Sequence, residues 1–184
     1  MESRPSRARL FVALDLPDDA REELVRWRAR ALEHPDLRLV APEALHVTLA
    51  FLGHLPEEEI PRIAEVLPRG AMAPRLTAVG VKAVPPRQPR LFALDLADEG
   101  RRAGAIQAAV SDSLEALGLY EPEKRPFWPH ITLARMRKGG RVRRLDPPPP
   151  PADPWCATAV TLYRSRLSRA GAAYEPLERV TLAR

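Results

Sequence analysis

The sequence predicts an α+β fold with mainly antiparallel sheets, built from a duplicated unit of about 80 residues. Three pairs of matching segments recur in the same order, at spacings of 81 to 84 residues. The pairs are RLFVALDL at 9–16 with RLFALDL at 90–96, HVTL at 46–49 with HITL at 130–133, and TAV at 77–79 with TAV at 158–160. One short match could arise by chance, but three in register indicate duplication.

The first unit predicts a strand, a helix, a strand, a short helix and a strand, over residues 9–16, 18–32, 45–52, 57–67 and 75–84. Pro17 closes the first strand because proline cannot donate a backbone hydrogen bond. The helix follows from apolar residues at helical spacing, with Asp18 as its expected N-cap. Gly53 is expected to end the second strand, and Pro68 the short helix.

The second unit predicts the same order without the second helix, with a strand at 90–96, a helix at 99–117, and strands at 129–135, 157–166 and 173–182. In place of the second helix it has a basic, glycine-containing stretch followed by five prolines at 147–151. We expect residues 138–151 to form an extended surface loop, since proline cannot join a hydrogen-bonded ladder.

The composition limits the class of protein. No apolar run reaches the roughly 20 residues of a membrane helix, so no membrane association is predicted. Cys156 is the single cysteine, which excludes an internal disulfide and favours the cytoplasm. The net charge of +5 permits an anionic partner such as nucleic acid. The excess of arginine also fits a general compositional bias, so charge alone does not establish RNA binding.

Two of the four histidines lie in the same His-x-Thr-Leu setting. Side chains two residues apart share one face of a strand, so facing strands would bring His46, Thr48, His130 and Thr132 into one cleft. A histidine pKa near 6.5 lets one ring be protonated while its partner is neutral. Such a pair suits acid–base opening of a cyclic phosphodiester, with the threonines donating hydrogen bonds to the non-bridging oxygens.

A cation would complete this site, and Arg135 is the candidate nearest the second motif. Strict alternation directs Arg135 away from the face of His130, so a twist or a bulge at the strand end is required to bring it into the cleft.

Two other chemistries fit the sequence less well. A catalytic zinc usually takes three protein ligands, and His34 and His54 lie in no ligand-spaced motif. Cys156 has no nucleophile motif around it. We therefore predict no metal and no cofactor. For one motif alone, a structural histidine is the simpler interpretation. Retention of both His and Thr at equivalent positions of a duplicated unit favours function.

Four segments together resemble the 2H phosphoesterase superfamily, and within it the bacterial and archaeal RNA 2′,3′-cyclic phosphodiesterases, also called 2′-5′ RNA ligases. The segments are RLFVA from Arg9, HVTLAFLG from His46, PHITLAR from Pro129 and LYRS from Leu162. The resemblance implies a single domain over 1–184 with two pseudo-twofold-related lobes, made of two mainly antiparallel sheets with flanking helices around a central cleft. The repeat units are about 9–88 and 90–184, and strands could be exchanged between the lobes.

The resemblance also implies metal-independent hydrolysis of RNA 2′,3′-cyclic phosphate ends to 2′-phosphomonoesters, with reverse 2′-5′ ligation as a further family activity. By the same resemblance His46 is the proton donor and His130 the proton acceptor, and Thr48, Thr132 and Arg135 contact the phosphate. The predicted partner is RNA, and the predicted state is a monomer.

Two alternatives remain open from the sequence. One is a phosphodiesterase for small cyclic nucleotides or cyclic ADP-ribose phosphate, and the other is a module that binds RNA ends without turnover. Additional substrate contacts are predicted in two groups. The basic group is Arg135, Arg137, Lys138, Arg141, Arg143 and Arg144, and the base-stacking group is Phe11, Phe127, Trp128 and Tyr163.

Overall fold

The computed structural model describes residues 6–142, 145–168 and 171–184. The described strands are β1 (Arg7–Asp15), β2 (Leu37–Leu39), β3 (His46–Pro56), β4 (Arg75–Val84), β5 (Leu91–Glu99), β6 (His130–Met136), β7 (Trp155–Cys156), β8 (Ala159–Ser168) and β9 (Gly171–Thr181). The described helices are α1 (Asp18–Ala31), α2 (Ile60–Glu65) and α3 (Arg102–Ala116). Short 3₁₀ turns lie at Pro42–Ala44 and Glu57–Glu59.

The α+β class and the antiparallel pairing are confirmed. The paired strands follow the order β7-β4-β5-β6-β3-β1-β8-β9, with β2 added beside β6. Each neighbouring pair of named strands is antiparallel. The two predicted sheets are not separate, since β3 and β6 connect them through the register pair Val47–Ile131.

The strand order is consistent with a duplicated unit. On one side of the junction the order is β6-β5-β4, and on the other it is β3-β1-β8. Strand β4 comes from the first repeat but pairs with β5 of the second, and β8 comes from the second repeat but pairs with β1 of the first. Both sides therefore place a motif strand in the middle of the sheet.

The core lies against the face of the motif strands that carries their apolar residues. Val47, Leu49, Ile131 and Leu133 are 0–4% exposed. Helix α3 contributes Ile106, Val110 and Leu114 to the same buried cluster, and α1 contributes Leu24 and Ala31. This burial fixes the opposite face of each motif strand toward the cleft, because a shift by one residue would reverse both faces.

Several predicted boundaries were wrong. Strand β3 continues past Gly53, which takes a positive φ of 70° within the strand instead of ending it. Helix α1 has Pro17 as its N-cap, and Asp18 is its first residue. The short strands β2 and β7 were not predicted. Among the helices of the described segments, none has both the length and the apolar character of a membrane span.

Candidate active site

The two His-x-Thr motifs face each other at the centre of the sheet. Val47 and Ile131 are paired and fully buried. In an antiparallel register this pairing places His46 across from Thr132 and Thr48 across from His130. These four side chains are half-buried and point to the side opposite the core. Each imidazole is therefore opposite the hydroxyl of the other motif.

A cleft of about 550 Å³ contains all five predicted site residues. His46, Thr48, His130, Thr132 and Arg135 line it together. Side chains that the sequence did not assign to the site complete the polar and aromatic lining, namely Arg9, Arg38, Phe51, Ser165 and Tyr174. The cleft therefore extends well beyond the volume of one phosphate group.

A bulge in β6 brings Arg135 into the cleft. Phe92 pairs with Ala134 and Ala93 with Thr132, so Leu133 has no partner in β5. Leu133 and Ala134 are consecutive buried residues, and Arg135 then returns to the exposed face. A bulge adds one residue to the strand, so the side chains that follow it point to the opposite face from the one that strict alternation gives. This is the change that places Arg135 on the same face as His130.

The same bulge occurs in β3 and exposes Phe51. Val12 pairs with Ala50 and Ala13 with Thr48, which leaves Leu49 without a partner in β1. Phe51 is 45% exposed and lines the cleft, and the guanidinium carbon of Arg9 lies 4.6 Å from its ring centroid. Phe51 precedes Arg135 by the same 84 residues that separate the histidines. The repeat spacing was thus the signal that could have identified Phe51.

The surroundings of His130 fix its tautomer. Its Nδ1 lies 2.8 Å from the carbonyl oxygen of Trp128. A carbonyl can only accept, so Nδ1 carries the hydrogen and a neutral ring keeps Nε2 as its free acceptor. The indole of Trp128 stacks on the ring, with centroids 4.2 Å apart and planes at 15°. His130 is therefore held on one nitrogen and on one ring face.

Asp95 holds the tryptophan that stacks on His130. It accepts a hydrogen bond of 2.6 Å from the Trp128 Nε1 and an ion pair of 2.7 Å from the Lys82 Nζ. Desolvation opposes ionisation of Asp95, but the hydrogen bonds from Lys82 and Trp128 lower its pKa overall. Asp95 is also the register partner of His130.

His46 has a matching environment built around Asp15. Asp15 is its register partner and accepts a 2.8 Å hydrogen bond from the Tyr163 hydroxyl. Phe11 stacks on the His46 ring with centroids 4.9 Å apart, and Tyr174 meets the ring edge-on at 5.4 Å. Burial and the negative charge of Asp15 raise the pKa of Tyr163, so its hydroxyl remains a donor.

The pKa of His46 is lowered from 6.5 to about 4. Desolvation is the main cause, and the positive charges of Arg21, His130 and Arg135 act in the same direction. A backbone hydrogen bond at Ala44 acts in the opposite direction. His46 is therefore neutral at pH 7 in the unliganded protein, and an anion in the cleft would favour its protonated form.

Two arginines that line the cleft are register partners on neighbouring strands. Arg38 on β2 is the register partner of Arg135 on β6, and both are exposed and line the cleft. No carboxylate forms an ion pair with either of them among the described residues. Like charges directly opposite each other on neighbouring strands destabilise a sheet, so this pair favours a bound anion.

The structure places the additional predicted contacts differently. Phe11 lines the cleft and stacks on His46, and Trp128 stacks on His130. The Tyr163 hydroxyl donates to Asp15, and Phe127 packs against the core. Of the basic group, Arg135 lines the cleft, while Lys138 and Arg141 do not. Arg137 donates from Nε to the Leu37 carbonyl instead. Arg143 and Arg144 lie outside the described residues.

The donor set of the cleft is poor in metal ligands. Within residues 6–142, 145–168 and 171–184, no three side chains of His, Cys, Asp or Glu are grouped as a metal site would require. Cys156 is exposed on β7 and does not line the cleft.

Comparison with known proteins identifies relatives over nearly the whole chain. Residues 14–92 match the family model of LigT-like phosphoesterases. The RNA 2′,3′-cyclic phosphodiesterase of Escherichia coli K12 is 34% identical over 178 residues, which cover 95% of this chain and 96% of that protein. The Thermus thermophilus protein of the same name is 35% identical, with 95% and 90% covered.

The fold agrees with a solved structure of this kind. The crystal structure of Escherichia coli LigT complexed with 3′-AMP superposes with a TM-score of 0.82 at 30% identity, and the match covers 97% of this chain and all of that one. Sequence identity, coverage and fold thus support the same family membership that the paired motifs in the cleft indicate. The chain belongs to the LigT-like phosphoesterase family of the 2H phosphoesterase superfamily.

Proposed function

We propose that this protein hydrolyses the 2′,3′-cyclic phosphodiester ends of RNA to 2′-phosphomonoesters, by acid–base catalysis between His46 and His130. The observation that carries the proposal is the single cleft in which both imidazoles, both threonine hydroxyls and Arg135 converge. The relatives named RNA 2′,3′-cyclic phosphodiesterase support the choice of substrate.

In the proposed reaction, water attacks phosphorus and gives its proton to Nε2 of His130. The bond between phosphorus and the 3′ oxygen breaks, and protonated His46 gives its proton to that oxygen. Thr48 and Thr132 donate hydrogen bonds to the non-bridging oxygens, and Arg135 balances the charge on the phosphate. One water is consumed, and the two histidines return to their starting states by proton exchange with solvent.

The experiment that tests this function uses an oligonucleotide ending in a 2′,3′-cyclic phosphate. We expect the protein to convert it to a 2′-phosphate in the presence of EDTA, as identified by phosphorus NMR. A 3′-phosphate product would contradict the direction of opening, and loss of activity on chelation would contradict the two-histidine mechanism. Binding without turnover would assign the cleft to RNA-end recognition.

The protonation of His46 should depend on the ligand. We expect its pKa to be about 4 in the free protein and to rise when phosphate or 2′-AMP binds, since the anion offsets the positive charges around it. Because the proposed reaction also needs an unprotonated His130, the pH profile of activity reflects both rings, and titration of the His46 imidazole is the direct readout of its own pKa. NMR titration of the imidazole resonances measures both states.

The exposed histidine His54 lies on the same strand outside the cleft and serves as the reference resonance. A His46 resonance that titrates near its ordinary value in the free protein, or that does not move with ligand, would contradict this electrostatic account.

Phe51 should bind the terminal base. It is an exposed aromatic ring in the cleft, and aromatic stacking of a base contributes about 1–3 kcal/mol. We expect Phe51→Ala to raise KM about tenfold with little change in kcat. Val79→Ala is the matched control, since Val79 is 60% exposed and does not line the cleft. An equal loss on a ribose cyclic phosphate that lacks a base would exclude stacking.

The cleft is formed by one chain, so we propose that the active species is a monomer. The lone exposed thiol of Cys156 is suited to a reducing compartment, and we propose that the protein acts in the cytoplasm. Size-exclusion chromatography with light scattering tests the first proposal, and cell fractionation tests the second.

A further inference from the structure

In each of the two bulges, the carbonyl of the unpaired residue accepts a hydrogen bond from a helix of the other repeat. Arg28 on α1 donates from Nη1 to the Leu133 carbonyl in β6 over 3.2 Å. Gln107 on α3 donates from Nε2 to the Leu49 carbonyl in β3 over 3.4 Å. Arg28 and Gln107 are 79 residues apart, close to the spacing of the other repeated landmarks. The two helices thus make the same kind of contact with the two bulged residues.

The burial of Arg28 is energetically unfavourable. Arg28 is 2% exposed, and its Nε has no hydrogen-bond partner among the described residues. Desolvation lowers its pKa, while the negative charge of Glu43 acts in the opposite direction. No ion pair joins Arg28 to a carboxylate in the described part of the chain. A buried guanidinium without a hydrogen-bonded carboxylate destabilises a fold, so a compensating role is expected.

The hydrogen bond of Arg28 is accepted by Leu133, the bulged residue after which the side chains of β6 change faces. The Leu133 carbonyl accepts from Arg28 and also from the backbone N–H of Val40, at 3.0 Å. These donors satisfy a buried carbonyl at the bulge, which lacks a partner residue in β5. If the bulge became regular, Arg135 would turn to the opposite face of β6.

We propose that Arg28 is a positioning residue that holds the bulge at Leu133 and thereby directs Arg135 into the cleft. Gln107 performs the equivalent task for the bulge at Leu49, which exposes Phe51. This inference rests on the proposed function for its substrate. The two can fail separately, because an inactive wild type would refute the function, whereas the positioning role is judged by comparing variants, including their binding of inorganic phosphate.

The test is a double-mutant cycle between Arg28→Met and Arg135→Met. Misplacement of a group that contacts the substrate can lower the reaction rate about 10²-fold. Arg28→Met should therefore lower kcat/KM by roughly 10- to 100-fold in the wild-type background. In the Arg135→Met background it should lower kcat/KM less than about twofold, because the group that it positions is already absent. Arg28→Gln, which uses the residue found at the equivalent position of α3, should recover part of the loss.

Equal losses in both backgrounds would overturn the proposal, since a general loss of structure does not depend on Arg135. Inorganic phosphate affinity, measured by calorimetry, should follow the same non-additive pattern. The crystal structure of Arg28→Met should show a regular strand at Leu133 or a displaced Arg135, and an unchanged bulge with Arg135 in place would refute the role. If Arg28→Met does not fold, Gln107→Leu gives the mirror test. It should raise KM on a base-containing substrate but not on the ribose cyclic phosphate, and equal effects on both would overturn the proposal.

Discussion

Replacement of either His46 or His130 with alanine is expected to lower kcat for cyclic-phosphate opening by roughly 10²- to 10⁴-fold, the range that a positioned acid or base supplies. Both rings line one cleft, and each is held by an aromatic side chain that stacks on it. Neither can substitute for the other, because His130 is fixed through Nδ1 while His46 lies on the other motif strand. Single-turnover assays with saturating protein measure the chemical step.

His54→Ala is the matched control for these variants. His54 lies on β3, the strand of His46, but it is exposed and does not line the cleft, so its removal should leave kcat unchanged. The double variant of His46 and His130 should be little slower than either single variant, since the two groups act in one step. Retained turnover in either single variant would contradict the acid–base assignment.

Substitution of Arg135 with methionine is expected to lower kcat/KM by about 10²-fold, as loss of one charged donor to a phosphate oxygen commonly does. Arg135 is exposed in the cleft, and no carboxylate among the described residues neutralises it. Arg135→Lys should restore part of the loss, because lysine keeps the charge without the planar fork of donors.

Arg137→Met provides the comparison for Arg135→Met. Arg137 follows two residues later, but its Nε donates to the Leu37 carbonyl and it does not line the cleft. Activity assays in rising salt should show a weaker salt dependence for Arg135→Met than for Arg137→Met. A similar loss in both variants would mean that general positive charge, and not a directed contact, supports activity.

The histidines and threonines could be predicted because alternation along a strand is a local rule. Val47 and Ile131 had to enter the core, and this burial turned His46, Thr48, His130 and Thr132 toward the cleft. The duplicated spacing then showed that the two motifs belong together. Both arguments need only residue type and separation along the chain.

Arg135 and Arg38 could not be placed in the same way. Arg135 depends on a bulge that is held by donors from α1 and from Val40, and these contacts join distant parts of the chain. Arg38 lies on a three-residue strand that forms by pairing with β6, and so short a strand has no periodicity to detect. The predicted end of β3 was wrong for a related reason, since glycine is typical of a strand end but Gly53 lies within a paired strand.

The aromatic residues show a further limit of sequence interpretation. The sequence predicts that Phe11 and Trp128 stack on bases, and in the structure each of them stacks on an imidazole. Trp128 is held there by Asp95, and Asp15 binds the tyrosine that stacks on Phe11. These two aspartates belong to the first repeated landmark, so the repeat contains a support for each histidine as well as the histidine itself.

The division of roles between the two histidines is tested most directly with a substrate whose bridging 3′ oxygen is replaced by sulfur. Sulfur leaves without protonation, so a variant that lacks only the general acid should recover on this substrate. We predict that His46→Ala recovers to near the wild-type rate, whereas His130→Ala remains inactive because water activation is still missing. Recovery of His130→Ala alone would reverse the assignment, as neutral His46 in the free protein would then act as the base. Recovery of neither would contradict catalysis by a proton donor at the leaving oxygen.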